Sequence, residues 1–281
     1  RTAMGRLWVR NLIRNLPALV HGQPLPRTCL PTVVCGAGPS LGVSLELLSA
    51  KRSAVFIIAV DTALPALRSA GITPDCVVAV EGQLVNVYDF LPTSRDGYLL
   101  AADVSSAPAV IEAHDPERIV WMGTRFAELA ILDRFAALRL AIRTLPPLGS
   151  VGVSAVALAV ECTAAPIILA GLDFAARSGA THAPGSPVDL HRLQQAWRCG
   201  GTAAAELPGR WIKRTGCDGR PVLTTMALVG YAEELQRIVA EARQDKNGRT
   251  VGAIQPFGLP TGAEPLTVEG ARGGIGTWGP G

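Results

Sequence analysis

The stretch "TVVCGAGPSL", Thr32 to Leu41, decides how the rest of the chain is read. Four residues of buried-strand type run into Gly36-Ala37-Gly38-Pro39-Ser40. A helical pattern from Leu41 to Ala50 follows, with Ser40 in position to cap it. Strand, glycine-rich turn and helix in that order form the repeating unit of a parallel sheet. The turn is either a tight corner and nothing more, or a place where a phosphate-bearing ligand approaches the backbone.

Working outward, the unit repeats. "AVFIIAV", "DCVVAVEG", "GYLLAADVS", "ERIVWMG" and "PIILAGLDF" read as strands. Helical stretches fall at Thr62–Ala70, Ala107–Ala113, Phe126–Leu138 and Val151–Glu161. The strands are continuous apolar runs, which implies burial on both faces. The expected fold is therefore α/β, a doubly wound, mostly parallel sheet of Rossmann-like type with helical additions at both ends. Residues 1–28 read as an N-terminal helix and linker, and 29–185 as the core domain. Residues 186–250 read as a helical part with a possible lid, and 251–281 as an irregular tail.

Composition narrows the function. The chain has 281 residues, 48% apolar and 17% charged, enough to build a core. A net charge of +3 and 5% aromatic residues supply neither a basic face nor a stacking platform, so nucleic acid is not an expected partner. Arg6, Arg10 and Arg14 give the first helix a basic face, read as solvated. The six cysteines show no CxxC spacing, and a reducing cytoplasm is expected. Arg1 opens the chain, and the expectation is a segment of a longer protein. The apolar run Val151–Leu172 is interrupted by Glu161 and Pro166 and reads as buried core, so no transmembrane segment is expected.

Ligands of such sheets sit at the carboxyl ends of the strands, and the chain places its unusual residues there. Gly36, Ala37, Gly38, Pro39 and Ser40 follow the first strand, Asp61 the second and Glu81 the third. Gly149 and Ser150 open the helix at Val151 as a second small-residue turn. Gly171, Asp173 and Phe174 end the last strong strand. Asp61 and Glu81 have two readings: a magnesium or ribose pair, or a helix cap beside a solvated acid. Of the four histidines, His182 on the "THAPG" loop is the candidate general base. His21 and His114 read as linker or surface, and His191 as solvated on a polar helix.

Together these segments resemble the Maf motility-associated family, also known as MptE-like. The resemblance rests on "VVCGAGPSL", "VDTALPALRSAGITPDCVVAVEGQ", "LGSVGVSAVALA" and "PIILAGLDFAARSGATHA", with a fainter echo in "FGLPTGA". It implies a glycosyltransferase moving a nonulosonic, sialic-acid-like sugar from a CMP donor to a protein hydroxyl, with flagellin as the suspected acceptor and no obligatory cofactor. The family name also implies an alternative, a 6-hydroxymethyl-7,8-dihydropterin pyrophosphokinase using ATP and magnesium, with Asp61 and Glu81 on the metal. A third reading is a non-catalytic motility scaffold.

The glycine turn and the "GLDF" strand end are also similar to those of bacterial lipooligosaccharide sialyltransferases. By that similarity the glycine loop and Ser150 hold the CMP phosphate and ribose, and Asp173 and Phe174 shape the nucleoside pocket. The chain departs from that pattern at Ala37, Asp61 and Glu81, where the sialyltransferases carry asparagine, and at Ala175, where they carry tyrosine.

Overall fold

A computed structural model describes residues 2–91, 97–125, 130–176, 180–188, 210–244, 250–255 and 258–266. Helix α1 (Thr2–Leu19) precedes the sheet. The alternating part then runs β1 (Thr32–Cys35), α2 (Leu41–Ala50), β2 (Phe56–Val60), α3 (Leu64–Ser69), β3 (Cys76–Ala79), α4 (Val87–Phe90) and β4 (Leu99–Asp103). It continues through α5 (Pro108–Glu112), β5 (Ile119–Thr124), α6 (Ala130–Ala137), β6 (Ile142–Leu145), α7 (Val151–Cys162) and β7 (Ile167–Ala170). A hairpin, β8 (Ile212–Thr215) with β9 (Pro221–Thr224), is followed by α8 (Met226–Gln244), β10 (Val251–Ile254) and β11 (Glu264–Pro265).

Among the described residues nine strands form one sheet in the order β11-β10-β7-β1-β2-β3-β4-β5-β6, with every pair parallel. From β1 the chain steps strand by strand to β6. Then α7 carries it back across the sheet to β7, on the other side of β1. Crossovers of this kind are right-handed, so the reversal places α7 and α8 on the face opposite α3, α4 and α5. Helices α7 and α8 pack on each other, as do α3 with α4, α4 with α5, and α5 with α1. The strands of the centre are buried throughout, as their apolar runs require.

Three strands lie where no strand is expected from the sequence. β6 is short and carries exposed Arg143 and Thr144, the signature of an edge strand. The segment read as an irregular tail supplies β10, which pairs with β7 from Val251↔Ile167 to Ile254↔Ala170, and β11 beyond it. Part of the helix expected at Phe126–Leu138 is seen as α6, and residues 126–129 lie outside the described residues. The polar helix expected at Val188–Arg198, with His191, falls almost wholly outside them as well.

Helix α1 is part of this fold rather than an appendage. The Asn11 amide donates to Gly82 O (2.8 Å) and Ser105 O (3.0 Å). Asn15, four residues on and on the same face, donates to Val104 O (3.1 Å) and Ser106 O (3.0 Å). Both asparagines are buried. They satisfy carbonyls that the strands leave open where β3 and β4 end, and so hold α1 across the carboxyl edge of the sheet.

The expectation that Val151–Leu172 is core holds: it divides into α7 and β7, and no described helix is long and apolar enough to cross a membrane. Cys35, Cys76 and Cys162 are buried and free, and burial pushes the Cys35 and Cys162 thiols up to about 12. His114 corrects its surface reading. It is buried beneath Phe90, with Nδ1–H donating to Val110 O (2.6 Å), which leaves Nε2 to accept from the Tyr98 hydroxyl (3.0 Å). Burial holds its pKa below the usual histidine value.

Candidate functional site

Strand order reverses between β1 and β7, and their ends lie side by side in the register Cys35↔Ala170. Gly36 N–H donates to Ala170 O and Gly38 N–H to Gly171 O, both at 2.8 Å. The two segments approach so closely that a Cβ on Gly36 would overlap Gly171 O, and one on Gly171 would overlap Gly36 O. A Cβ on Gly38 would overlap the Asp173 carboxylate. The glycines of "CGAGPS" thus admit protein backbone and one carboxylate at close range.

Gly171 (φ +69°) and Phe174 (φ +49°) are both left-handed, and between them the chain doubles back. For a phenylalanine that conformation costs about 1 kcal/mol or more. It is held in place because Phe174 O accepts from Thr224 Oγ1 (2.7 Å) and Ala176 exchanges two backbone hydrogen bonds with Leu223 of β9. The turn drives Asp173 inward. One carboxylate oxygen accepts from Ser40 N–H (2.8 Å), and the other accepts from the Ser40 hydroxyl.

Ser40 makes no side-chain cap of α2; its hydroxyl is spent on Asp173, whose carboxylate takes the place an anion would hold at that helix start. Burial raises the Asp173 pKa to about 6, against the lowering effect of both Ser40 hydrogen bonds. Gly258 and Leu259, from the "FGLPTGA" segment, close over the turn, and Leu259 N–H donates to Asp173 O (2.9 Å).

The other expected residues gather on the same edge. Ala183 N–H donates to Ala37 O (2.8 Å), which sets half-buried His182 directly beside the glycine turn. His182 Nδ1 lies 3.0 Å from Thr181 Oγ1. The Leu172 side chain packs against both Gly36 and Gly152, joining the first turn of α7 to the same place. Gly149 (φ +72°) turns the chain under the Tyr231 ring, and half-buried Ser150 begins α7 without a side-chain cap. The first turn of α7 therefore offers uncapped N–H groups at the same edge where α2 is already closed by Asp173.

Asp61 and Glu81 belong to a second group, over β2 and β3. Asp61 is buried. One of its oxygens accepts from the N–H of the next residue, Thr62 (2.8 Å), without capping a helix, and the other from the Asn86 amide (2.8 Å). The same amide nitrogen donates to Asp89 (2.9 Å). Burial raises the Asp61 pKa, with Glu81 adding to the effect. Asp89 rises to about 7 through burial and the Asp61 charge. Glu81 is half-buried and accepts from Gln83 N–H (2.8 Å). Asn86 and Asp89 are missed by sequence reasoning, and the only signal is a polar pair three apart in an otherwise apolar "LVNVYDFL". Asp103 is likewise missed: its two oxygens accept four hydrogen bonds, from Ser105 and Thr124, and bind β4 to β5.

A doubly wound parallel sheet, with glycine turns and an uncapped helix start at its reversal point, places the chain in the Rossmann-like class of α/β proteins. Comparison of sequences makes the assignment more particular. The chain belongs to the MptE-like family, described as 6-hydroxymethylpterin diphosphokinase MptE-like, whose profile matches residues 10–179, more than half of the chain. That match begins within α1 and ends just past the Asp173 turn.

Two relatives are uncharacterized proteins of Treponema pallidum (strain Nichols). One is 31% identical over 191 residues, 65% of this chain and 33% of its own length. The other is 34% identical over 94 residues, 31% of this chain and 45% of its own. The chain thus spans from a third to under half of these relatives. The Maf glycosyltransferase of Magnetospirillum magneticum AMB-1 shares the fold: TM-score 0.64 at 18% identity, over 92% of this chain and 38% of that one.

Proposed function

We propose that this chain is the donor-binding domain of a Maf-like glycosyltransferase. In this reading it moves a nonulosonic sugar from a CMP donor to a protein hydroxyl, with flagellin as the acceptor. The observation that carries the proposal is the Ala183 N–H to Ala37 O bond, which sets His182 beside the glycine turn at the reversal point. The likeness in fold to a Maf glycosyltransferase supports it.

The parts take the following roles. The N–H groups of the first turn of α7, with Gly149 and Ser150, receive the donor phosphate, because Asp173 already holds Ser40 N–H. Gly36 to Pro39, Gly171 and Phe174 shape the wall against the nucleoside. The glycosidic bond to phosphate breaks as positive charge develops on the sugar, and CMP leaves with the bonding electrons. His182 takes the proton of the acceptor hydroxyl as its oxygen bonds to the sugar. Among these residues none needs a metal for that step.

A second reading is favoured by one observation. Buried Asp61 and half-buried Asp89 share the Asn86 amide, with the Glu81 charge acting on Asp61, an acidic group such as a magnesium-dependent diphosphokinase would use, and the family's description names that activity. Calorimetric titration with CMP and with ATP, each with magnesium and with EDTA, separates the two. CMP binding that survives EDTA supports the transferase, and His182→Ala should then retain CMP binding while transfer falls by about 100-fold or more. ATP binding abolished by EDTA selects the diphosphokinase. Binding of neither nucleotide at millimolar concentration overturns both in favour of a scaffold.

A further inference from the structure

Helix α1 turns a second face outward. The four amide hydrogen bonds of Asn11 and Asn15 fix its rotation, so the residues opposite them cannot turn in. Val9 and Ile13 are each 58% exposed, Leu16 38%, and Val20, just past the helix end, 68%. Their steps of four, three and four residues are those of a coiled-coil seam, the narrow stripe along which one helix packs on another. Exposed Arg6, Arg10 and Arg14 run beside it, one to each turn. Arg14 reaches Glu112 at 3.3 Å, while Arg6 and Arg10 have no acidic partner among the described residues. A shallow groove is lined by Gly5, Val9 and Ile13 on one side and by the three arginines on the other. Nothing stands within 4 Å of the place a Cβ on Gly5 would take, so the groove is open at that end.

The chemistry of the face selects its occupant. Helix α1 contains no acidic residue, so the α1 of a second copy offers Arg6 and Arg10 nothing to pair with. A helix that lies on a membrane brings a broad apolar face with aromatic residues in it. Here the stripe is narrow, and Trp8 is turned in against Gly82. We propose that the outer face of α1 docks an amphipathic helix of a partner protein, one that carries apolar residues at seam spacing and a row of Glu or Asp beside them. The partner's apolar side chains pack between Val9, Ile13, Leu16 and Val20, and its acids meet Arg6 and Arg10. The basic face that the sequence reads as solvated is then a recognition face. The inference rests on α1 alone and does not depend on which group the protein transfers.

The test uses two labelled synthetic peptides of about three heptads, each with Leu at the two seam positions. One carries Glu at the positions flanking the seam, and the other carries Lys there. Fluorescence anisotropy should show the Glu peptide binding the protein saturably at micromolar concentration, about tenfold or more tighter than the Lys peptide. Raising the salt from about 0.05 M to about 0.5 M should weaken it by about tenfold. The double variant Arg6→Glu, Arg10→Glu and the single variant Ile13→Ser should each weaken it by about tenfold or more. Met226→Gln, an exposed residue on α8, should leave it unchanged. All of these positions are exposed, so the variants should melt as the wild type does. The proposal is overturned if the Glu peptide does not saturate the protein at millimolar concentration, if the Lys peptide binds as tightly, or if reversing the arginines changes nothing. Binding of phosphatidylglycerol vesicles that Ile13→Ser abolishes and the Glu peptide does not compete with would overturn it in favour of a membrane contact. A dimer that Ile13→Ser dissociates and the Glu peptide does not would overturn it in favour of self-association. The comparison of the two peptides is read on the wild type, so the test stands even if a variant does not fold.

Discussion

Ser40→Ala removes one contact of the Ser40–Asp173 clasp and leaves the other. The hydroxyl bond to one carboxylate oxygen goes, while the backbone N–H stays bonded to the second at 2.8 Å. Both residues are buried, so water does not replace the lost donor. A hydrogen bond to a buried charged group contributes roughly 1.5–3 kcal/mol. With a urea slope near 3 kcal/mol per molar, the midpoint should fall by roughly 0.5–1 M at pH 8.

The pH dependence follows from the Asp173 carboxyl, which sits at about 6 in the fold against 3.8 ordinarily. Between those values the folded protein holds a proton that the unfolded chain has released, so ionisation of Asp173 costs stability as pH rises through 6. The hydroxyl bond favours the ionised form; without it the folded pKa climbs further and that cost grows. The difference between wild type and Ser40→Ala should therefore be largest at pH 8 and shrink at pH 5, where both carboxyls are neutral. Urea titrations at pH 5, 6.5 and 8 measure this. A difference under about 0.5 kcal/mol at pH 8, or one equal at pH 5 and 8, would refute the reasoning.

Asn15→Ala strips two amide hydrogen bonds from buried carbonyls at the ends of β4, and should cost about 2–3 kcal/mol in urea unfolding. A loss below ~0.5 kcal/mol would mean that α1 is held by its apolar contacts alone. His114 should keep the tautomer with hydrogen on Nδ1 and titrate below 6.5, seen in its ring nitrogen resonances. Because burial lowers its folded pKa, this histidine takes stability away as pH falls through the unfolded value of 6.5. A ring that titrates at or above 6.5 would contradict the buried pair with Tyr98.

How much of this was legible before the structure depends on the range over which each feature is encoded. Helices α1 and α2 fall where the sequence places them, at Thr2–Leu19 and Leu41–Ala50, because hydrophobic periodicity and turn residues act over a few positions. The parallel sheet was legible for a similar reason: apolar runs as in β1 and β7 can only be buried on both faces. The glycine turns were legible as places of close approach. What approaches them was not.

That was decided by contacts between distant parts of the chain. Asp173 meets Ser40 across 133 positions, Asn15 meets Val104 and Ser106 across 89 and 91, and Asn86 meets Asp61 across 25. A buried polar side chain is defined by the one donor or acceptor it reaches, and nothing in its neighbours along the chain names that partner. β10 is decided in the same way, since "VGAI" acquires strand character only from the free edge of β7. The sequence by itself determined a doubly wound α/β sheet with its unusual residues at the strand ends. Tertiary structure alone decided that one of those acids closes a helix start from within, and that another shares a buried amide with an acid on α4. Local pattern specifies which surfaces are apolar; only the assembled sheet sets which buried polar groups face one another.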